Sequence, residues 1–171
     1  MHSRSACVRS RLLADRPDDA ERVLAALLRW RDATGAGAEV FSAASRDFGL
    51  DLPPHPMAAA ALVALTRNML VYDDGDTLAL TLGPRAAWWN GARVSRAPTR
   101  WGTIDLSFER RGAEAHWAWT PVKAWTALTL PAGCVLDAPP TAPLQGEPGA
   151  RVVLAPPGTR QARVRVREVQ P

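Results

Sequence analysis

Residues 55–82 read HPMAAAALVALTRNMLVYDDGDTLALTL, and the spacing of the apolar residues changes within this stretch. Up to Val71 the apolar residues are spaced as in a helix. Pro56 is tolerated in a first helical turn because its missing N–H would have no hydrogen-bond partner there. After the turn residues 73–76, alternate positions are apolar, which is typical of a strand: Leu78, Leu80 and Leu82. The stretch therefore predicts a helix at about residues 55–71 followed directly by β structure.

An amphipathic helix is predicted before this stretch. Apolar residues recur at positions i, i+4, i+7 and i+8 of a helical stripe: Ala20, Leu24, Leu27 and Leu28. Acidic residues follow Pro17, where they suit the positive end of the helix dipole, and Gly35 is a stop signal. These signals predict a helix at about residues 17–33 and a loop at about 34–54. A structureless loop of about 20 residues is uncommon inside a compact domain and is usually functional.

The second half of the chain has the alternation of strands. A turn at residues 110–112 separates two apolar series, which predicts a hairpin: Ile104, Leu106 and Phe108 before the turn, and Ala115, Trp117 and Trp119 after it. Further strands are predicted at residues 124–130, 151–154 and 161–169. The last of these alternates arginines on one face with valines on the other: Arg163, Arg165 and Arg167 against Val164 and Val166. Short strands at this spacing are typical of an antiparallel sandwich.

The predicted fold class is therefore α+β. An N-terminal helical hairpin occupies residues 1–72, and a small antiparallel β-sandwich occupies residues 73–171. The length of 171 residues suffices for one domain of typical size or two small ones, and 47% apolar residues is ordinary for a globular protein.

Charge and hydropathy exclude several classes of partner. The net charge of +4 is spread along a chain in which basic and acidic residues are interleaved, so no nucleic-acid partner is expected. The longest apolar run, Met57 to Leu65, is far shorter than the roughly 20 residues of a membrane span, so no membrane partner is expected. The N-terminal residues contain no apolar segment of the kind found in secretion signals, which predicts a cytoplasmic protein.

Cofactor and metal motifs are also missing from the sequence. No phosphate-binding loop, dinucleotide fingerprint, zinc-ligand spacing or nucleophile elbow is present. Cys7 and Cys134 are 127 positions apart and are interpreted as free thiols. We expect no cofactor and no metal.

An ordered series of short motifs resembles the C-terminal end of bacterial six-hairpin, (α/α)6-barrel glycosidase-like proteins. The motifs are Pro54 to Ala61, Arg67 to Val71, Asp74 to Leu78, Pro84 with Trp88, and Ala97 to Gly102. In that family the last barrel helix leads directly into a small β-sandwich. The resemblance covers about residues 17–135 and agrees with the change from helix to strand.

The resemblance implies a carbohydrate-active, glycoside-hydrolase-like protein with a carbohydrate ligand. A barrel of twelve helices needs well over 200 residues, at about 11 residues per helix plus the connections between them, and this chain has room for two. The expectation is a C-terminal fragment, inactive alone, that contributes a cleft loop and a supporting β domain. Its partner would be the missing barrel portion, or a second copy bound through the hairpin. The alternative is a non-catalytic carbohydrate-binding β-sandwich module.

Two residues near the predicted loop are candidates for the site. Glycoside hydrolysis normally needs two carboxyl groups. The resemblance implies that Glu39 stands where relatives often have an acidic residue before the last helix, so Glu39 is the catalytic candidate, although a solvated loop acid is the ordinary interpretation. His55 is a candidate for binding a sugar hydroxyl, or it caps the helix with its imidazole.

The seven tryptophans are the other unusual feature: Trp30, Trp88, Trp89, Trp101, Trp117, Trp119 and Trp125. Flat indole rings stack on sugar faces, but a small β domain also needs large side chains in its core. Trp117 and Trp119 share a strand face and are predicted to be core residues. Trp88 and Trp89 lie beside the turn at Asn90-Gly91 and are the candidates for an exposed sugar platform, or they pack the β domain on the last helix.

Overall fold

Two helices begin the part of the chain that the computed structural model describes, which comprises residues 17–37, 41–42, 44, 47–48, 54–83 and 89–169. Over these residues the protein is mixed α+β, with the helices followed by two larger sheets. The chain divides into two units, Met1–Thr66 and Arg67–Pro171, and the second helix crosses the division.

Helix α1 spans Pro17–Arg29 and ends four residues before the predicted position. Its apolar stripe is buried at Ala20 and Leu24, as the periodicity predicts. The early end has a local cause in Asp32, whose Oδ1 accepts hydrogen bonds from the N–H groups of Thr34 at 2.8 Å and Ala36 at 2.9 Å. The hydroxyl of Thr34 donates to the same oxygen and is the main reason that the pKa of Asp32 lies below its usual value, and the N–H groups add to the effect. Together these bonds close a turn in place of a further helical turn.

The predicted loop contains a small element of its own. Strands β1 (Phe41–Ser42) and β2 (Asp47–Phe48) pair antiparallel, so the segment between the helices is not structureless throughout. Two-residue strands are too short for alternation to reveal them in a sequence. The N–H of His55 donates to the carbonyl oxygen of Gly37 at 3.1 Å, which joins the two ends of this segment.

Helix α2 spans Pro56–Leu70, and strand β3 follows it without a break, as the change of apolar spacing predicts. The turn between β3 and β4 consists of two residues, with Gly75 at a φ of 55° in the first position. A left-handed first residue suits the twist of a tight hairpin, and glycine adopts it without steric cost. The predicted turn at residues 73–76 is therefore shorter than expected, because Asp73 and Asp74 belong to β3.

One sheet has four strands in the order β10-β8-β4-β3: β3 Val71–Asp74, β4 Thr77–Leu80, β8 Trp125–Thr129 and β10 Val152–Ala155. Strands β4 and β8 pair in parallel, so the prediction of a purely antiparallel structure is wrong for this sheet. Parallel neighbours need a long crossover connection, and the residues between β4 and β8 include three strands of the other sheet.

The other sheet has five antiparallel strands in the order β5-β6-β7-β11-β9: β5 Ala92–Thr99, β6 Gly102–Arg111, β7 Glu114–Trp119, β9 Cys134–Leu136 and β11 Gln161–Glu168. The prediction includes β6, β7 and β11 but omits β5 and β9. Strand β5 contains Pro98 and a bulge between Val94 and Ala97, which interrupts its alternation, and β9 has only three residues.

Residues of both sheets belong to one buried cluster, which includes Leu78, Leu80, Leu128 and Val153 from the first sheet and Ile104, Phe108, Trp117 and Val164 from the second. Trp117 and Trp119 are 2% and 5% exposed, which confirms their predicted core positions. Thr81 lies within the buried region, and its Oγ1 accepts a hydrogen bond from Trp117 Nε1 at 3.1 Å. The same hydroxyl lies 2.7 Å from the carbonyl oxygens of both Leu80 and Thr129, which are the acceptors for its single proton.

Candidate ligand-binding groove

The outer face of the five-stranded sheet carries the polar side chains of its strands. In β6, β7 and β11 buried residues alternate with more exposed ones, so the side chains opposite the core point away from it. Strand pairing brings these outer residues into rows across the sheet. Arg93 lies opposite Ser107 in one row, and the next contains Glu109, His116 and Arg163 from three successive strands.

These rows line a groove of about 1120 Å³ that is open to solvent. Its remaining lining includes Gln161 and residues 141–144. A shallower depression of about 420 Å³ adjoins it, shares Arg93, Ser107 and Ala118 with it, and adds Asp105 and Arg160. Guanidinium, imidazole, carboxylate, amide and hydroxyl groups therefore meet on one surface.

Ion pairs position several of the charged groups around the groove. Arg163 donates to Glu114 at 2.5 Å, and His116 Nε2 lies 3.4 Å from the same carboxylate oxygen. The hydrogen bond from Arg163 is the main reason that the pKa of Glu114 lies below its usual value, and His116 adds to the effect. On the neighbouring strand, Arg111 pairs with Glu109 at 2.9 Å.

Arg93 differs from these arginines. It is exposed on β5, an edge strand of the sheet, and it lines both depressions. Within the described part of the chain, its guanidinium has no ion pair and no hydrogen bond, whereas Arg111 and Arg163 each hold a glutamate. Arg93 therefore presents donors that a ligand can use directly.

The predicted sugar platform is wrong for Trp89. This side chain is 1% exposed and belongs to the buried cluster, where its ring packs edge-on against Phe108 with the centroids 5.0 Å apart. Burial of this large apolar side chain stabilises the small β unit, and an exposed side chain would not contribute in this way. Trp88, the second residue of the predicted platform, and Glu39, the predicted catalytic acid, both lie outside the described residues.

His55 lies at the start of helix α2 and contributes through its backbone. Its carbonyl oxygen accepts the N–H of Ala59 at 3.2 Å, as an N-cap residue does, and its N–H is bound to Gly37. Its side chain is half-buried, and it does not line either depression. The two interpretations of its imidazole stay predictions.

Sequence reasoning missed the groove residues. Alternation alone separates inner from outer residues, and it marks Arg163, Arg165 and Arg167 as an outer row, but it does not reveal which strands are neighbours. Trp125, at the start of β8, is 40% exposed, although it is not among the tryptophans that were predicted to be exposed. Its alternation with buried Thr126 and Leu128 is the signal that could have identified it.

Three of the five motifs quoted for the glycosidase resemblance contribute residues to one structural cluster, and these residues do not line the groove. Arg67, in the last part of α2, donates to Asp73 at 2.5 Å and to the carbonyl oxygen of Pro98. The backbone N–H of Arg100 donates to the other oxygen of Asp73 at 2.8 Å, and its side chain donates to the carbonyl oxygen of Gly75. This cluster joins the end of the helix, the first hairpin and the β5–β6 turn.

Metal and membrane features are absent from the described ranges. There, no group of three or more His, Cys, Asp or Glu side chains is arranged to hold a metal ion. Neither α1 nor α2 has the length and apolar character that a membrane crossing requires. Comparison of the chain with known protein families, curated proteins and solved structures finds no match.

Proposed function

We propose that this chain is a non-catalytic, carbohydrate-binding part of a glycosidase-like protein, and that its groove holds the saccharide. The observation that supports the proposal is the groove itself, which is open, large and lined by side chains that hydrogen-bond hydroxyl groups. Sites for apolar ligands are usually enclosed and lined by apolar side chains. An open polar groove suits a ligand that is rich in hydroxyl groups.

The proposed architecture is that of the C-terminal end of a six-hairpin protein, with a helical hairpin followed by a β-sandwich. Its support is the order of the elements, with α2 leading directly into β3, and the buried cluster shared by the two sheets. The Arg67–Asp73–Arg100 cluster supports it too, because it gives three of the resembling motifs a common structural purpose.

The carboxylates near the groove favour binding over hydrolysis. A general acid in a glycosidase needs a carboxyl group with a raised pKa. The pKa of Glu114 is instead lowered by Arg163, and Glu109 is paired with Arg111. We therefore propose that the groove residues hold and orient a saccharide, and that the chain alone does not cleave it.

The experiment measures binding of a mixed panel of oligosaccharides by titration calorimetry, with release of reducing sugar as the test for hydrolysis. Glu109→Gln and His116→Gln should each weaken binding about tenfold, because a hydrogen bond to a charged group contributes about 1.5–3 kcal/mol. Arg167→Gln is the matched control, since Arg167 lies on β11 outside the groove lining.

Two results would overturn the proposal. One is a failure of the wild-type chain to bind any saccharide of the panel. The other is loss of binding with Trp125→Ala while both groove variants bind normally, which would move the site to the exposed indole on the four-stranded sheet. Release of reducing sugar would contradict the non-catalytic part alone.

A further inference from the structure

The charges that line the two depressions are unbalanced. The lining residues include four arginines, Arg93, Arg111, Arg160 and Arg163, but only two carboxylates, Asp105 and Glu109. Glu109 is paired with Arg111, and Asp105 accepts the backbone N–H of Arg96 at 2.8 Å. Arg163 is paired with Glu114, which lies just outside the lining. Among the described residues, Arg93 and Arg160 are therefore the lining arginines whose charge is not held in an ion pair.

The chemistry of Arg93 indicates what it can bind. A guanidinium group forms two parallel hydrogen bonds with a carboxylate, and these charge-assisted bonds are stronger than bonds to neutral groups. The hydroxyl of Ser107, directly opposite Arg93 on β6, is a further donor within the same row. No side chain of the described residues has to be displaced before an anionic group binds there.

The rest of the groove argues against a uniformly charged polyanion. Glu109 lies between Arg93 and Arg163, and Asp105 lies on the other side of Arg93, so closely spaced phosphates would meet carboxylates as well as arginines. Arg93 and Arg163 stand on strands three steps apart, which is about 14 Å. The surface suits a ligand whose acidic groups are separated by hydroxyl groups.

We propose that the saccharide bound in the groove is acidic, and that Arg93 binds the carboxylate of a uronic acid residue. Glu109, His116 and Gln161 then bind hydroxyl groups of neighbouring sugar residues. This inference rests on the proposed function and specifies its ligand class.

The test uses matched pairs of oligosaccharides that contain galacturonate, glucuronate or mannuronate, each compared with its carboxyl-reduced counterpart. Reduction replaces the carboxylate with a hydroxymethyl group and leaves the linkages intact. We expect at least one acidic member to bind at least tenfold more tightly than its reduced form. Arg93→Gln should remove this preference, Arg93→Lys should retain part of it, and Arg167→Gln should leave it unchanged.

The outcomes separate this inference from the proposed function. Equal binding of acidic and reduced forms, weakened by Glu109→Gln but not by Arg93→Gln, would overturn the acidic ligand class and leave a saccharide groove. If Arg93→Gln and Arg167→Gln reduced the preference for acidic saccharides equally, the preference would come from general charge attraction, and the assignment to Arg93 would be overturned. Absence of binding to every saccharide would overturn both proposals.

Discussion

The hydroxyl group of Thr81 is a central polar contact in the buried part of the second unit. Thr81 has a φ of 57°, a conformation that β-branched residues rarely adopt, and it is 1% exposed. Its Oγ1 donates within the four-stranded sheet and accepts the indole N–H of Trp117 from the five-stranded sheet. The unfavourable backbone conformation is thus offset by the hydrogen bonds of the buried hydroxyl.

Thr81→Val should reduce the free energy of unfolding by about 1–3 kcal/mol, because it leaves the buried N–H of Trp117 without its acceptor. Thr81→Ser retains the hydroxyl and serves as the control, with a smaller loss expected. Urea unfolding followed by tryptophan fluorescence measures both. Equal stability of wild type and Thr81→Val would show that the hydroxyl is dispensable.

The ion pair between Arg163 and Glu114 can be tested through the pKa of Glu114. Removing the guanidinium with Arg163→Gln should raise the pKa of Glu114 toward its ordinary value, since the hydrogen bond from Arg163 is the largest cause of the lowered pKa. NMR titration of the Glu114 side-chain carboxyl measures the change, and Arg167→Gln is the control. A titration of Glu114 that is identical in wild type and Arg163→Gln would refute the assigned cause.

At the scale of elements, Asp73 connects three pieces of the fold. It lies on β3 and accepts hydrogen bonds from Arg67 of α2 and from the N–H of Arg100 in the β5–β6 turn. Partial burial acts to raise the pKa of Asp73, but these hydrogen bonds outweigh it, and the pKa lies below its usual value. A carboxyl group with a lowered native pKa stabilises the fold while it is ionised.

The contribution of Asp73 should depend on pH in a defined direction. It is fully present above the unfolded-state pKa of about 3.9 and is lost as the pH falls through the native pKa. Asp73→Asn should therefore destabilise the protein at pH 7, and the difference from wild type should shrink below about pH 4. Unfolding experiments across this range measure it, with Asp76→Asn, in the exposed hairpin turn, as the control. A difference that is independent of pH would contradict the ionic contribution.

At the scale of the whole molecule, the shared cluster makes the two sheets of the second unit depend on each other. Leu128 of the four-stranded sheet is fully buried in the same cluster as Trp117. Leu128→Ala should cost about 2–5 kcal/mol, and the loss should accelerate hydrogen exchange in both sheets. The exposed Val152→Ala is the control. Faster exchange confined to β4, β8 and β10 would show that the sheets unfold separately.

Most helices and strands were predictable because their signals are local. The helix at Pro56–Leu70 and the strands β6, β7 and β11 follow from the spacing of apolar residues over a few neighbours. The same alternation was sufficient to assign Trp117 and Trp119 to the core. It was insufficient for Trp89, which is buried although it belongs to none of the described strands.

Local alternation is enough to assign the inward-facing residues of β6, β7 and β11, because side chains on a regular strand point to its two faces in turn. The parallel pairing of β4 with β8 and the position of β11 beside β7 become visible only in the folded protein. Strand order and register depend on contacts between residues far apart in the chain, about which a local pattern carries no information. The groove is formed by Glu109, His116 and Arg163 from three different strands, so it exists only once those strands are paired.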